Sequence, residues 1–599
     1  MGKGVTGLTV ESVSEQTDLG KMKSSIKFLG ATLLLSLSLL MTTHAKPNVL
    51  FIACDDMNDW VGFLDGHPDT RTPNMDRLAK RGIIFDRAYC ASPICGPSRA
   101  AVLTGLKPET SGVYNNQGTY IDYVPDAVTL PKFFKNNGYL VMGCGKINHA
   151  MGCVVPDNYH EFGPDAGAIG GPFTWEELNM NPGTKVERKD IAGISDEIKS
   201  GIVKNVYPGK VIERGSLKAT LPLNGIDNRI DRPANGYNTF DWGPVSVNDD
   251  AMPDGKMASW AEQKLRSNYT APFFLAVGFY RPHQPWYAPA KYFKPFEGRE
   301  LALPPSLTND LGDCGEAAKH YAHYPWSGSF ATVLKHHQWQ EAIRGYLASI
   351  HFVDAQVGRL LDALDASPYA DNTIVVLWSD HGWELGEKEH WGKHSPWEGS
   401  MRVPLVIVPP KELNIPANRS DAFASLLDLY PTLADLCGLD VPTQLDGKSL
   451  KPVVSGQSNG VRDHIVTTLG RSTFCIRKGN MKLIRYYDGS EELYDLIKDP
   501  NEFHNIVTKP EHREILTELR ALAPVDNRYK QFVRHGQYKA VIDSDGTTKL
   551  YDMLHPKSGI GEHTEVSADK PEVLARIRTH LRDMETNARY VTIPFSGSN

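Results

Sequence analysis

The sequence has few cysteines and no surplus of basic charge, and each of these shortages excludes a class of protein. Only 8 of its 599 residues are cysteines, a far lower fraction than in a small disulfide-stabilised scaffold. The 64 basic and 71 acidic side chains give a net charge of −7, which argues against a dedicated nucleic-acid-binding protein, because such proteins carry a basic surface. Apolar residues make up 41% and charged residues 23%, so the composition excludes a disordered chain. The sequence therefore predicts a large globular protein.

Long apolar runs are also scarce, and the one candidate membrane segment lies near the N-terminus. Three lysines between positions 21 and 27 precede an apolar run from Phe28 to Met41, and Thr43-His44-Ala45 follows. This order is typical of a secretory signal peptide, and the run is shorter than the roughly 20 residues that span a bilayer. We therefore expect residues 1–45 to be an upstream segment and signal peptide. The protein would be exported, periplasmic or secreted, without a stable membrane anchor.

After this leader, short apolar runs alternate with helical patterns. The runs without helical periodicity are Pro47–Cys54, Gly138–Gly143, Pro272–Phe279, Thr373–Trp378 and Val403–Val408. The helical patterns are Met75–Arg81, Met257–Leu265 and Gln338–Leu364. This alternation predicts an α/β fold with a mostly parallel sheet sandwiched by helices. We expect it to occupy residues 46–465, with Asp157–Asp250 as a long insertion that shapes a substrate cleft.

The C-terminal part contains a repeated pattern. Residues 476–479 (IRKG) and 493–495 (LYD) recur 57 positions later as 533–536 (VRHG) and 550–552 (LYD). A helical stretch follows each copy. The pattern predicts a smaller α+β subdomain at 466–599 with two related units, at about 474–522 and 531–585, which we expect to be packing modules.

Polar side chains follow four of the apolar runs, at the sheet edge where parallel α/β proteins bind ligands. They are Asp55 and Asp56, then Lys146 and His149, then His283, then Asp380 and His381, with Lys393 further along. Three carboxylates suit a hard cation such as Ca²⁺. Lysines suit an oxyanion, and histidines suit proton transfer near neutral pH. The combination predicts hydrolysis of a sulfate or phosphate ester.

A nucleophile candidate stands at Cys95. Pro97 is typical of a first helical turn, which places Cys95 at a helix N-terminus, where backbone N–H groups attract anions. The segment Cys95-x-Pro97-Ser98-Arg99, followed by Leu103-Thr104-Gly105, resembles the signature of the type I, formylglycine-dependent sulfatases. The resemblance implies an alkaline-phosphatase/sulfatase-like fold.

Several other segments extend this resemblance from Lys46 to about Leu522. They are Asp55-Asp56, Gly138-Tyr139 leading to Gly145-Lys146, Asp380-His381-Gly382 and Leu493-Tyr494-Asp495. Two residues separate Lys146 from His149, and His381 follows Asp380, as in the iduronate-2-sulfatase branch. The second C-terminal unit, from Phe532 onward, departs from the family pattern.

The resemblance implies a role for each matched residue. A maturation enzyme would oxidise Cys95 to formylglycine, whose hydrate attacks sulfur and later expels sulfate. The implied Ca²⁺ ligands are Asp55, Asp56, Asp380, His381 and the modified Cys95. The other implied roles are that Arg99 and His149 hold the hydrate, Lys146 and Lys393 bind the sulfate oxygens, and His283 protonates the leaving oxygen.

The branch resemblance and the long insertion together predict a sulfated saccharide as substrate. Two alternatives stay open: a phosphodiester or phosphonate ester hydrolase of the same superfamily, and a non-catalytic glycan-binding protein. The residues flanking Lys393, namely His390, His394 and Trp397, fit either sugar contact or a structural role.

Overall fold

The computed structural model describes residues 46–116, 119–149, 155–164, 239–245 and 247–524, short pieces at 185–186, 212–213, 224 and 226, and parts of 529–593. The leader expected at 1–45 and most of the insertion expected at 157–250 lie outside these residues. Among the helices it describes, none has both the length and the apolar character needed to cross a membrane.

Strands alternate with helices in residues 46–465, the region expected to be catalytic, which we call the catalytic part. In chain order the strands are β1 (Asn48–Asp55), β2 (Ile83–Tyr89), β3 (Leu140–Gly145), β4 (Glu161–Phe162), β5 (Lys185–Val186), β6 (Ile212–Glu213), β7 (Trp242–Val245), β8 (Phe273–Pro282), β9 (Trp286–Pro289), β10 (Thr373–Ser379), β11 (Glu384–Leu385), β12 (Trp391–Gly392), β13 (Leu405–Val408) and β14 (Asn418–Ser425). The helices are α1 (Pro73–Ala79), α2 (Cys95–Thr104), α3 (Pro108–Ser111), α4 (Tyr120–Tyr123), α5 (Leu130–Asn136), α6 (Pro253–Leu265), α7 (Glu316–His323), α8 (Phe330–Lys335), α9 (Trp339–Asp365), α10 (Glu398–Met401), α11 (Leu429–Leu436) and α12 (Lys451–Val454).

Eight of these strands form one sheet in the order β14-β2-β13-β10-β1-β8-β3-β4. Neighbouring strands run parallel, except that β13 is antiparallel to both β10 and β2. The prediction of a mostly parallel sheet is therefore confirmed. All five predicted apolar runs are strands of this sheet. The run from Pro47 to Cys54 became the central strand β1, which is buried at every residue, as a strand covered on both faces must be.

Helices cover both faces of the sheet. Alternate residues of β1 enter two different apolar clusters: Val49 packs into the one that includes Leu433 of α11, and Leu50 into the one that includes Leu360 of α9. The 27-residue helix α9 also holds α1 in place, because the buried carboxylate of Asp354 accepts a hydrogen bond from the Met75 backbone N–H at 2.8 Å. This cap satisfies a donor that the first turn of a helix leaves open.

The C-terminal part forms two smaller sheets. Their elements are β15 (His464–Leu469), β16 (Thr473–Lys478), β17 (Met481–Arg485), β18 (Glu491–Asp495), α13 (Arg513–Ala521), β19 (Tyr529–His535), β20 (Tyr538–Asp543), β21 (Thr548–Asp552), β22 (Thr564–Glu565) and β23 (Tyr590–Ile593). Strands β15 to β18 form one antiparallel sheet. Strands β19 to β21 are also antiparallel, and β23 adds to them in parallel.

The two C-terminal sheets share a pairing register. Lys478 pairs with Met481 in the first sheet, and His535 pairs with Tyr538 in the second. Positions 57 residues apart in the chain therefore hold equivalent places in the β16–β17 and β19–β20 strand pairs. The repeat itself and the domain boundaries stay predictions.

A buried ion cluster joins the first C-terminal sheet to the catalytic part. Lys482 on β17 is 0% exposed, and its Nζ lies 2.6 Å from Glu502 Oε1 and 3.2 Å from Glu398 Oε1. Glu398 begins α10, and its backbone N–H donates to Glu502 Oε2 at 2.8 Å. The Trp397 indole N–H donates to Glu492 Oε2 at 3.1 Å, so the segment after Lys393 is fixed to β17 and β18.

Substitution of Lys482 by methionine tests this junction. We expect Lys482→Met to lower the free energy of unfolding by about 3 kcal/mol, because the buried carboxylate of Glu502 loses its cation. Urea-induced unfolding measures the loss. Lys478→Met is the matched control, since Lys478 pairs with Glu518 at the surface and exposed pairs contribute little. Equal midpoints for Lys482→Met and the wild type would contradict a stabilising role for the cluster.

Candidate active site

Four neighbouring strands deliver polar side chains to one edge of the central sheet. Strands β10, β1, β8 and β3 are adjacent and parallel, so their carboxyl ends lie side by side. The residues that they deliver are Asp55, Asp56, Lys146, His149, His283, Asp380 and His381. Cys95 and Arg99 reach the same place from α2, and Lys393 reaches it from the loop after β12.

The turn after β1 points two carboxylates toward this centre. Asp56 has a φ of 61°, a left-handed conformation that costs a non-glycine residue of the order of 1–3 kcal/mol. Hydrogen bonds hold it there: its N–H donates to Asp380 Oδ1 at 3.1 Å, and the Tyr346 hydroxyl donates to its carbonyl at 2.8 Å. The turn therefore depends on Tyr346, which the sequence shows only as one more apolar-face residue of a helix.

Cys95 lies at the start of α2 and is surrounded by cationic groups. Its Sγ is 2.9 Å from Lys393 Nζ, 3.6 Å from Lys146 Nζ and 3.1 Å from His381 Nε2. Cys95 also interacts with the His149 ring, because it partly offsets the lowering of the His149 pKa by burial. The side chain at position 95 is thus the point on which the predicted site residues converge.

The electrostatic environment distinguishes Cys95 from the core thiols. Burial raises the pKa of this thiol, but Lys146 and Lys393 outweigh burial and bring the pKa well below its ordinary value. For Cys54 and Cys90, burial raises the pKa. All seven cysteines in the described part of the chain are buried, and none of them forms a disulfide. Of Cys54, Cys90 and Cys95, only Cys95 has a stabilised thiolate.

Arg99 organises the carboxylates. It follows Cys95 by one helical turn and so projects from the same face of α2. Its Nε donates to Asp380 Oδ2 at 2.9 Å and an NH2 group donates to Asp55 Oδ1 at 3.0 Å. A third hydrogen bond goes to the carbonyl of Lys146. Arg99 therefore ties the ends of β1, β3 and β10 together.

The three aspartates differ in acidity. Burial raises the pKa of Asp55, but Lys146 and Arg99 overcome it and hold that pKa well below the usual range. Burial dominates at the other two carboxyls, raising the pKa of Asp56 to about 7 and that of Asp380 to about 6. These two groups gain most from a further cation, because a nearby positive charge favours the ionised form.

The donor set fits a hard divalent cation. Donor atoms of Asp55, Asp56, Cys95 and His283, and of Asp55, Cys95, Asp380 and His381, lie within 4.8 Å of one another in two overlapping groups. Within the described residues, the buried Asp56 Oδ2 has no hydrogen-bond partner. The His283 Nε2 atom lies 3.8 Å from this oxygen. Several carboxylate oxygens, one of them unsatisfied, match the ligand preference of Ca²⁺.

Glycine at position 278 lets Lys146 approach the site. The Lys146 N–H donates to the Gly278 carbonyl at 2.8 Å. A Cβ at position 278 would lie 2.3 Å from the Lys146 carbonyl carbon. A side chain there would push the Lys146 segment away from β8.

The loop that carries Lys393 is strained and firmly held. Lys388, Glu389 and His394 all have positive φ values, of 51°, 53° and 71°. The Lys388 ammonium bonds to the buried Asp310 carboxylate at 2.9 Å. The His390 ring nitrogens lie 3.0 Å from the Ala322 carbonyl and 2.9 Å from the Lys393 carbonyl.

Of the residues flanking Lys393, His390 and Trp397 therefore have structural roles. No local pattern indicates that Asp310 and Lys388 support this loop, because a single buried ion pair between distant positions leaves none in the sequence.

Family models match most of the chain. A model described as Sulfatase matches residues 47–439, and one described as N-sulphoglucosamine sulphohydrolase, C-terminal, matches residues 386–525. A sulfatase of Formosa agariphila is 35% identical over 80% of this chain and 87% of its own length. Human iduronate 2-sulfatase is 29% identical over 67% of this chain and 70% of its own length.

Solved structures share the fold. The structure of BT4656 with its substrate D-glucosamine-2-N,6-O-disulfate aligns with a TM-score of 0.57 at 23% identity, covering 80% of this chain and 96% of that one. The phosphonate monoester hydrolase of Agrobacterium radiobacter aligns with a TM-score of 0.59 at 22% identity and the same coverage.

The relatives do not single out one substrate branch. Besides iduronate 2-sulfatase they include an N-acetylglucosamine-6-O-sulfatase and a choline-sulfatase, so the expected iduronate-2-sulfatase-like branch is one among several. The family itself is clear, because its model spans the whole central sheet and every strand end of the site. The chain belongs to the Sulfatase family and is a sulfuric ester hydrolase.

Proposed function

We propose that this enzyme is exported and removes sulfate from sulfated saccharides, using a formylglycine made from Cys95 and a bound Ca²⁺. The observation that carries the proposal is the position of Cys95, whose sulfur has Lys146, Lys393 and His381 within 3.6 Å. The saccharide is supported by the likeness to iduronate 2-sulfatase. Export is supported by the leader pattern at 1–45.

Modification of Cys95 is supported by its motif and its surroundings. Formylglycine, once hydrated, supplies a hydroxyl nucleophile together with an internal route for expelling sulfate. Lys393 already hydrogen-bonds to the side chain at position 95, and it would hold the hydroxyl groups of the hydrate together with His149. A dedicated maturation enzyme would have to act before folding closes the site, because Cys95 is 1% exposed.

The carboxylates would hold the metal. Asp55, Asp56, Asp380 and His381 would bind Ca²⁺ together with the modified side chain at position 95. Bound Ca²⁺ supplies positive charge that stabilises anionic oxygen. Arg99 keeps Asp55 and Asp380 in place through its two ion pairs of 3.0 and 2.9 Å.

The remaining groups suit the substrate. A sulfate ester attacked from position 95 brings its sulfuryl oxygens within reach of Lys146 and Lys393, and fixed cations there stabilise the charge of the transition state. The His283 side chain is 18% exposed, whereas those of Lys146 and Lys393 are 3% and 5% exposed. Burial, with Lys393 and Lys146 nearby, lowers its pKa well below the ordinary value. The ordinary form of His283 is therefore the neutral imidazole, and the negative charge of a bound sulfate ester would favour the imidazolium that donates a proton to the leaving oxygen.

The activity is tested with enzyme from a host that makes formylglycine. Wild type and Cys95→Ala would be assayed for inorganic sulfate and phosphate released from 4-nitrophenyl sulfate, 4-nitrophenyl phosphate and a panel of sulfated saccharides. We expect the wild type to release sulfate and Cys95→Ala to be inactive. Dominant phosphate release would move the protein to the phosphorus-acting relatives. Sulfate release by Cys95→Ala would remove position 95 as the nucleophile. The mass of the Cys95 peptide establishes whether it was modified.

Calcium is tested by removal and by thermal stability. Excess EGTA followed by desalting should lower kcat at least 10-fold, and added Ca²⁺ should restore it. Ca²⁺ should also raise the Tm of the wild type, because a ligand that binds only the folded state stabilises it. Asp56→Asn should lose the Tm response. Asp371→Asn is the control, since Asp371 pairs with Lys411 at the surface. An unchanged wild-type Tm would contradict a metal at this site.

Lys393 is tested by truncation. We expect Lys393→Ala to lower kcat/KM for 4-nitrophenyl sulfate about 100-fold, the usual effect of losing one preorganised donor to a developing oxyanion. Lys411→Ala, which removes an exposed lysine, is the control for loss of a positive charge alone. Equal kcat/KM values for Lys393→Ala and the wild type would show that Lys393 does not bind the sulfate oxygens.

A further inference from the structure

A row of aromatic rings leads from the active site to the protein surface. It consists of His394, Trp326, Tyr324 and His320, and we call it the aromatic row. Ring centroids are 4.9 Å apart between His394 and Trp326, 6.2 Å between Trp326 and Tyr324, and 5.5 Å between Tyr324 and His320. None of these rings has a part in the chemistry described above.

The inner end of the row lies beside the reacting centre. His394 follows Lys393 directly, and its side chain is buried at 4% exposure. Its backbone N–H donates to the carbonyl of Pro93 at 3.1 Å, two residues before Cys95. Its left-handed φ of 71° turns the chain here. The ring is thus fixed next to the lysine that contacts the nucleophile.

A tight turn fixes the middle of the row. Trp326 forms a β-bridge with Gly328, which has a φ of 110°. A Cβ at position 328 would lie 2.1 Å from Phe240 Cδ2, so only glycine fits the turn. The Trp326 and Tyr324 rings stack with an interplanar angle of 28°, so the planes of the two rings are close to parallel.

The outer rings are accessible. Trp326, Tyr324 and His320 are each partly exposed, whereas His394 is buried. The row therefore runs from the enclosed centre to solvent. Rings fixed in this way offer flat apolar faces with polar edges, and sites for small organic ligands are lined by such side chains together with a few polar groups.

A saccharide chain is the ligand that matches a row of this kind. A pyranose ring has an apolar face of C–H groups that packs against an aromatic ring, while its hydroxyl groups bond to polar edges. A monosaccharide sulfate needs one such platform beside the reacting sulfate. Successive platforms leading outward suit a ligand with successive rings.

We propose that the aromatic row binds the sugar units adjacent to the sulfated one, so that the preferred substrate is a sulfated oligosaccharide or polysaccharide. This inference rests on the proposed saccharide sulfatase function. It adds a specificity role for Trp326, which lies at the centre of the row and is the ring with the largest face.

Chain-length dependence tests the aromatic row. The substrates are 4-nitrophenyl sulfate and oligosaccharides of two and six sugar units from chondroitin sulfate, heparan sulfate and iota-carrageenan. We expect the wild type to prefer hexasaccharide over disaccharide in kcat/KM by at least 10-fold, through KM. Trp326→Ala should reduce this ratio to near 1, and Trp326→Phe should retain most of it. Trp260→Ala is the control, because Trp260 is also partly exposed but lies on α6 beside Lys264.

Each outcome separates the two proposals. Hydrolysis of the aryl ester without any length preference, or a preference that persists in Trp326→Ala, would overturn the aromatic row and leave the sulfatase site intact. Failure of the wild type on every ester would overturn the proposed function itself. If Trp326→Ala lost kcat on the aryl ester as much as on the hexasaccharide, Trp326 would be a support for His394 and not a sugar platform.

Discussion

The structure depends on a balance of buried charge around position 95. Three carboxylates and three permanent cations are enclosed there, joined by contacts such as Arg99 to Asp55 at 3.0 Å and Lys393 to Asp56 at 2.8 Å. Each member is stable in the interior only because the others are present, since an unpaired buried charge is very unfavourable. The correct position of each charged segment therefore depends on the others. These segments are the strand ends, the first turn of α2 and the Lys393 loop.

Most of the sheet and of the site was predictable from the sequence, for two physical reasons. Strands buried on both faces, such as β1, are continuous apolar runs, and their carboxyl ends are where polar residues collect. Strands β2 and β14 were missed because they are only partly buried, so polar residues interrupt their apolar pattern. The Cys95 motif is a short local sequence, which a single chain reveals completely.

The supporting residues could not be predicted, because their partners are far away in the chain. Tyr346 holds the Asp56 turn across 290 positions, and Asp310 holds the Lys393 loop through Lys388 across 78. Neither pair has a spacing that distinguishes it from ordinary core or surface residues. The same holds for Trp326, whose role is visible only once its ring lies against His394. The sequence indicates the candidate site residues, and the structure shows which residues orient them.

The Lys393 loop belongs to both matched regions of the chain, since residues 386–439 fall within the catalytic and the C-terminal family models alike. Behind that loop, Lys482 and Glu492 of the C-terminal sheet hold Glu398 and Trp397. These contacts cross the boundary predicted near residue 465. A fragment that ends there would keep every candidate site residue. It would lose the contacts of Lys482 and Glu492 that hold the segment after Lys393. A shortened variant that keeps the Lys393 loop in place would therefore need the first C-terminal sheet as well as the central sheet.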